Sequence, residues 1–209
     1  MTQLKRREEV TRVRRESIID AAERVFFRKG YLNATVDEIV KEAEYSKRTV
    51  YVYMKSKAEM YDAVALRAYT MQTEYLLATK VERDAVKELV AAVQSAMNFV
   101  KEQPGYTAII TNYHLRATDP SCDVPKEIID MDARLLGILE EIVERGVAEG
   151  SFRKELNIKF TATYLATVFL GVVDMVSNKT IYLQRDRGLT AEVFIKNATD
   201  MLLHSLKKY

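Results

Sequence analysis

Residues 35–57 read TVDEIVKEAEYSKRTVYVYMKSK and contain two helix starts separated by a short turn. Thr35 is placed as a helix N-cap, and Glu38 follows three residues later, where a capping box needs a carboxylate. Ser46 is a second N-cap and opens a short helix from Lys47 to about Met54. Two short helices joined so closely predict a helix-turn-helix unit.

The sequence on either side of this unit supplies two further helices. An amphipathic helix is predicted from about Arg12 to Lys29, because apolar residues recur there with the 3.6-residue period. Gly30 then stops that helix. Ser56 caps a fourth helix, which runs through Leu77 without a glycine or a proline.

The rest of the chain predicts only long helices. They are expected at about 82–103, 105–117, 125–149, 157–184 and 190–208, with Asn157 and Thr190 as N-caps of the last two. Seven glycines and three prolines in 209 residues leave little material for the turns of short strands. The predicted fold is all-α, with an N-terminal helix-turn-helix domain at residues 1–60 and a second helical domain at 61–209.

Charge and composition narrow the class of protein. The chain carries a formal charge of +2, divided into +4 for residues 1–60 and −2 for the remainder. A basic end on a nearly neutral body is typical of polyanion binders, although a solvated helix face gives the same pattern. The N-terminus lacks the apolar segment of a signal peptide, and the longest apolar stretch is about half a membrane span. A single cysteine, Cys122, excludes an internal disulfide, so we expect a cytoplasmic protein with no membrane partner.

The helix after Ser46 has the side chains of a DNA-reading helix. Val50 and Met54 share the face that would pack on the preceding helices. The other positions are rich in cations and phenols: Lys47, Arg48, Thr49, Tyr51 and Tyr53. Lysine and arginine pair with guanine edges, the threonine methyl packs on thymine, and tyrosine hydroxyls bind phosphates. The alternative is a solvated charged helix, which the two preceding helices make less favourable.

Residues 15–61 resemble the DNA-binding region of the tetracycline-repressor (TetR) family of transcriptional regulators. The shared features are an alanine pair and a phenylalanine in the first helix, the glycine after it, the threonine that opens the second helix, Ser-x-x-Thr-x-Tyr at 46–51 and Ser-Lys at 56–57. Two positions depart from the family pattern. Met54 stands where an aromatic residue is usual, and Glu44 stands where glycine is usual. Glu44 must either hold a positive φ, at about 1 kcal/mol, or force a different turn.

The resemblance implies roles for individual residues. Lys47, Arg48 and Thr49 lie at positions that commonly meet bases, and Tyr51 and Tyr53 lie at base or phosphate positions. Lys57 matches the family's phosphate-binding lysine. The basic arm at residues 5–7 has a minor-groove or phosphate role on the same reasoning.

The resemblance also implies an effector-binding and dimerisation domain at residues 61–209. Two long C-terminal helices, here 157–184 and 190–208, form a homodimer in the family. Phe194, Ala198, Met201, Leu202 and Ser205 form a stripe suited to a partner helix, although the same stripe would suit an internal core. Two recognition helices about 34 Å apart would then read a palindrome.

An effector site is the least determined part of the sequence. Polar residues on otherwise apolar segments and nearby large side chains are the candidates for ligand contact: Asn98, Tyr106, Ile110, Tyr113, His114 and Phe169. Most large apolar residues of this region are simply core. Asp174 interrupts the apolar run FLGVVDMV, and the sequence leaves open whether it serves a pocket, the core or the dimer seam.

The sequence therefore predicts a transcriptional repressor that leaves a palindromic operator when a small, mostly apolar effector binds. The continuous fourth helix would carry the displacement to the DNA-binding domain. The alternative is a DNA-binding protein of the same fold whose second domain binds a protein partner. Two histidines, one cysteine and the lack of a glycine-rich phosphate loop, a metal-spaced cluster or a nucleophile elbow give no support to an enzyme, a metal site or a cofactor.

Overall fold

The computed structural model describes residues 3–78, 84–117 and 124–207, with side chains for 5–78, 84–113 and 124–207. Cys122 lies outside the described residues. Within those ranges the secondary structure is helical, apart from one isolated bridge between Phe152 and Lys207. The helices are α1 Gln3–Asn33, α2 Val36–Glu42, α3 Lys47–Tyr53, α4 Lys57–Ala78, α5 Ala85–Glu102, α6 Pro104–Ala117, α7 Lys126–Ala148, α8 Ile158–Asn178, α9 Thr180–Arg187 and α10 Ala191–Leu206. The predicted all-α fold is confirmed.

The predicted N-caps all form hydrogen bonds to the backbone. The amide of Glu38 donates to Thr35 Oγ1 at 3.3 Å, and the Glu38 carboxylate accepts from the amide of Thr35 at 3.1 Å, which completes the capping box. Ser46 and Ser56 each accept from the amide three residues later at 3.1 Å. Asn157 and Thr190 cap α8 and α10 in the same way. Local side-chain chemistry thus determines where these helices begin.

Of the backbone positions with a positive φ, one lies at the predicted helix stop and one in the turn where the sequence left a positive φ as one of two alternatives. Gly30 has a φ of 71° inside α1, so the long helix breaks there as expected. Glu44 has a φ of 58° in the turn between α2 and α3. The turn therefore keeps the family geometry, and Glu44 carries the steric cost that a glycine would avoid.

Two predicted helices differ from the observed ones. The first helix begins at Gln3, about nine residues before the predicted start, because the charged arm continues the helix. The predicted helix 157–184 divides into α8 and α9 at Lys179, whose φ of −125° and ψ of 24° are not helical. Neither a glycine nor a proline marks that break, so it could not be predicted from the sequence.

The described chain packs as two compact units. The first comprises Met1–Tyr69 with Gly105–Ile128, and the second comprises Thr70–Pro104 with Ile129–Tyr209. The functional domains predicted at 1–60 and 61–209 remain a prediction, because a packing unit and a functional domain are different divisions.

The first unit has an aromatic core between α1, α4 and α6. Tyr61 stacks on Tyr113 with ring centroids 5.8 Å apart, and its edge meets Phe26 at 5.1 Å. Gly105 allows a close approach here, because a Cβ at that position would stand 2.6 Å from the ring of Phe27 and that ring would have to move. α6 therefore packs closely on α1 within this unit.

The second unit has an aliphatic core. Its buried members come from α5, α7, α8, α10 and the segment after α7: Ala85, Leu89, Ala92, Ile142, Val143, Phe152, Leu165, Leu203 and Leu206. Phe152 lies against Gly146, where a Cβ would approach its ring to 2.1 Å. The amide of Arg153 donates to the carbonyl of Leu206 at 2.9 Å, so the end of α10 is held to the segment after α7.

Candidate nucleic-acid interface and effector domain

The third helix presents two faces of opposite character. Val50 and Met54 are fully buried, as the sequence predicted, and they hold α3 on the first two helices. Lys47, Arg48, Tyr51 and Val52 are exposed. A helix of seven residues with this division has one face in the core and the other available to a partner.

Lys47 lies in an ion pair across the turn. Its Nζ is 2.7 Å from Oδ1 of Asp37, near the start of α2. The hydrogen bond to this carboxylate and its charge raise the pKa of Lys47 above the usual lysine value. Asp37 thus offsets part of the positive charge of the exposed face, and contact with a base requires Lys47 to leave the pair.

Thr49 and Tyr53 are held by hydrogen bonds. The hydroxyls of Thr49 and Ser46 are 2.8 Å apart, so Thr49 is tied to the N-cap. The hydroxyl of Tyr53 accepts from Nη1 of Arg14 at 3.1 Å. Sequence reasoning missed the role of Arg14, because 39 residues separate the partners and no local pattern connects them.

Lys57 binds the backbone of the first unit. Its Nζ donates to the carbonyls of Tyr31 and Ala34 at 2.8 and 2.9 Å, and it lies 4.5 Å from the centre of the Tyr31 ring. These bonds satisfy two carbonyls beside the Gly30 break. An ammonium has three donors, so these two bonds use two of them.

Arg67 is the centre of a charged cluster between α4 and α1. Its guanidinium pairs with Glu16, with Asp20 at 2.7 Å and with Glu23 at 3.2 Å. Partial burial lowers the pKa of Arg67, but the hydrogen bonds to the three carboxylates outweigh burial and raise it overall. This cluster joins α4 to α1, two helices that are far apart along the sequence.

The six predicted effector residues do not lie together in one unit. Tyr106, Ile110 and Tyr113 are buried in the first unit, whereas Asn98 and Phe169 belong to the second. Within the first unit the hydroxyl of Tyr106 donates to Glu23 at 2.6 Å, and that of Tyr113 donates to Asp62 at 2.9 Å.

Burial and the bond to Glu23 together raise the pKa of Tyr106 above its usual value.

The side chain of Asn98, in the second unit, is exposed and accepts a hydrogen bond from the side chain of Gln94 at 3.3 Å. The side chain of His114 lies outside the described residues.

Asp174 is partly exposed and paired within its own chain. Its carboxylate accepts from Nζ of Lys179 at 2.6 Å and from the Asn178 side chain at 2.9 Å. These hydrogen bonds, with that of Lys179 the larger cause, lower the pKa of Asp174 below its usual value. Asp174 is only partly buried in its own chain, and whether it serves a pocket or the dimer seam stays a prediction.

The last helices leave large apolar side chains uncovered. Met201 on α10 is 74% exposed, and Phe160 on α8 is 69% exposed and stacks on Tyr164. Leu202, predicted in the same stripe as Met201, packs partly buried against the core of the second unit. By length and composition α8 is apolar enough to cross a membrane. Only 28% of its most apolar stretch is buried within the structure. Much of this apolar surface is therefore uncovered in the part of the chain that the structure describes.

Comparisons with known proteins agree with this geometry. Residues 18–64 match the family model of bacterial regulatory proteins of the tetR family, and residues 70–204 match the model of the C-terminal region of YsiA-like proteins. The chain belongs to the TetR family.

The proteins similar to this TetR-family chain include two relatives and one solved structure. The HTH-type transcriptional repressor NicS of Pseudomonas putida is 24% identical over 74% of this chain and 73% of the relative. The fatty acid metabolism regulator protein of Bacillus subtilis is 26% identical over 68% and 72%. The crystal structure of FadR from Bacillus subtilis with stearoyl-CoA has a TM-score of 0.69 at 17% identity, covering 91% and 98%, and shows the shared fold.

The function of the protein follows from its family. This TetR-family protein is a DNA-binding transcriptional regulator, and its relative NicS is a transcriptional repressor. Its helix-turn-helix is the segment from α2 to α3, as the sequence predicted.

Proposed function

We propose that the protein is a homodimeric repressor that leaves a palindromic operator when an acyl-CoA binds its C-terminal helices. The DNA-binding part of this proposal rests on one observation: α3 buries Val50 and Met54 and exposes a basic, phenolic face. Arginine and lysine on such a face have the donors that guanine edges accept in the major groove.

The proposed DNA contacts are those predicted from the sequence. Arg48 is exposed and free to reach a base edge, whereas Lys47 must leave Asp37 and Tyr53 is oriented by Arg14. Thr49 and Tyr51 lie on the same short helix, and Lys57 would give its remaining donor to a phosphate. We expect Arg48 to contribute most to sequence preference and Lys57 to contribute to positioning.

The dimer half of the proposal is supported by the uncovered side chains of α8 and α10. An apolar side chain such as Met201 gains about 1.5–3 kcal/mol when it is transferred from water into an interface. A two-fold axis uses each such contact twice, and it also places two copies of α3 on one duplex.

An acyl-CoA is the proposed effector class because of the relatives. The C-terminal region matches YsiA-like proteins, one relative regulates fatty acid metabolism, and a structural neighbour was crystallised with stearoyl-CoA. The long acyl chain would be the apolar part of this effector, whereas its CoA group is polar and anionic, so the proposed effector is more polar than the sequence predicted. The six candidate contacts, Asn98, Tyr106, Ile110, Tyr113, His114 and Phe169, remain a proposal, and Phe169→Ala is expected to weaken acyl-CoA binding without changing DNA affinity.

We further propose that the protein is cytoplasmic and has no catalytic role. Its relative NicS acts in transcription, and a regulator released by a metabolite needs only reversible binding.

The experiment is selection of an operator from random duplexes, followed by titration of the complex with acyl-CoAs from acetyl-CoA to stearoyl-CoA. We expect one palindromic sequence and its release by longer acyl chains, with free CoA and the free fatty acid as controls. A 100-fold loss of DNA affinity would correspond to a coupling of about 2.7 kcal/mol, and DNA must weaken acyl-CoA binding equally. If every acyl-CoA leaves the complex intact, the effector proposal fails and a protein partner becomes the better model.

A further inference from the structure

Val52 is an exposed apolar residue in the middle of the helix that faces DNA. Its side chain is 70% exposed, whereas Val50 is fully buried two residues earlier. The core contacts of α3 are thus made by Val50 and Met54, and Val52 adds little to them.

The fold gives no reason for valine at position 52. A β-branched residue is a weaker helix former than alanine, because its χ1 rotation is restricted in a helix. An exposed valine also gains little from burial. Alanine, lysine or glutamate would serve the helix better, so the isopropyl group at position 52 points to a contact outside the chain.

The position of Val52 on α3 shows which side chain lies beside it on the outer face of the helix. A helix turns by about 100° per residue, so Val52 and Arg48 each lie about 160° around the axis from the buried Val50. They are four residues apart on the outermost face, with Cβ atoms about 5–6 Å from each other. The face has a cationic donor at one end and a small apolar group at the other.

We propose that Val52 packs on the 5-methyl group of a thymine in the operator, beside the base that Arg48 reads. The inference rests on the proposed DNA contact of α3 and adds one element of its specificity. The thymine methyl is the only apolar group that base edges present in the major groove, and small apolar side chains recognise it. Because bases on one strand are spaced by about 3.4 Å, the thymine and the guanine should lie within about two base pairs.

The test removes the methyl group from the DNA and the isopropyl group from the protein. In the operator recovered by selection, each thymine is replaced in turn by deoxyuridine, which keeps every hydrogen-bonding group. The affinity of wild type and of Val52→Ala is measured for each duplex at one salt concentration. Val90→Ala is the matched control, because Val90 is 42% exposed on α5 of the other unit.

We expect one thymine in each half-site whose replacement weakens wild-type binding about fourfold, the effect of one buried methyl group. In Val52→Ala the same replacement should change affinity by less than twofold, while Val90→Ala should behave as wild type. The inference is overturned if no thymine is sensitive, or if Val52→Ala loses as much as wild type. A different result, in which the wild type selects no sequence at all, would overturn the proposed function itself.

Discussion

The outer faces of α3 and of α8 with α10 differ in the chemistry they present. Exposed positions on α3 are mostly basic and phenolic, and Lys47 among them is held in an ion pair with Asp37. Exposed positions on α8 and α10 include Phe160 and Met201, which are large and apolar. An interface between a protein and DNA is charged and retains water, whereas the core of a permanent interface between subunits is apolar and excludes water. The difference matches one surface for DNA and another for a second copy of the chain.

The largest expected effect is a loss of dimer affinity when the apolar surface of α8 and α10 is changed. Met201→Glu should weaken the dimer by about 3 kcal/mol or more, a hundredfold or more in dissociation constant, because a charge would enter the interface twice. Sedimentation at micromolar concentration checks this, and operator affinity should fall in parallel.

The control is Lys196→Glu on the same helix, an exposed position about 140° around the axis from Met201. It changes the charge without removing an apolar side chain, and it should leave the dimer intact. Leu202 is a poor position for this test, because it packs on the core of its own unit and a charge there would unfold it. A monomeric wild type would refute the assignment of this surface.

The next effect is on the DNA surface. Arg48→Ala should cost about 1–3 kcal/mol on the operator and relax preference at one base pair, with little loss on unrelated duplexes. Lys57→Ala should weaken all duplexes alike and lower the salt slope by about one for each half-site. Binding titrations at several salt concentrations separate the two, and equal loss of specificity in both variants would contradict the assignment.

A smaller effect is expected inside the first unit. Arg67→Ala leaves Glu16, Asp20 and Glu23 facing one another without their shared cation. Because the group is only partly buried, we expect a loss of about 1–2 kcal/mol, or a Tm lower by roughly 2–8 °C. Adding Glu23→Gln to this variant should recover part of the loss. Thermal unfolding that is the same in wild type and Arg67→Ala would show that the cluster contributes no stability.

The smallest effect concerns the turn between α2 and α3. Glu44→Gly should raise the free energy of unfolding by up to about 1 kcal/mol, because glycine adopts a φ of 58° without steric cost. Glu44→Ala keeps the Cβ and should give no such gain. Chemical denaturation measures both, and a gain in the alanine variant would mean that the glutamate side chain rather than the backbone causes the strain.

Several features could be predicted from the sequence because they depend on neighbours along the chain. The caps at Thr35, Ser46 and Ser56, the break at Gly30 and the burial of Val50 and Met54 all rest on spacings of a few residues. The same spacings carry the TetR resemblance of residues 15–61. Local hydrogen bonds and helical periodicity need no knowledge of the rest of the fold.

Other features were decided only by the tertiary structure. Arg14 meets Tyr53, Lys57 meets the carbonyls of Tyr31 and Ala34, and Arg67 meets α1, over separations of 23 to 51 residues. No spacing rule predicts such pairs, since the packing of whole helices brings them together. The division between the core residue Leu202 and its exposed neighbour Met201 has the same origin. Sequence alone determined most of the helices and their caps, because those depend on neighbours along the chain, whereas the partners of the charged side chains depend on how the helices pack.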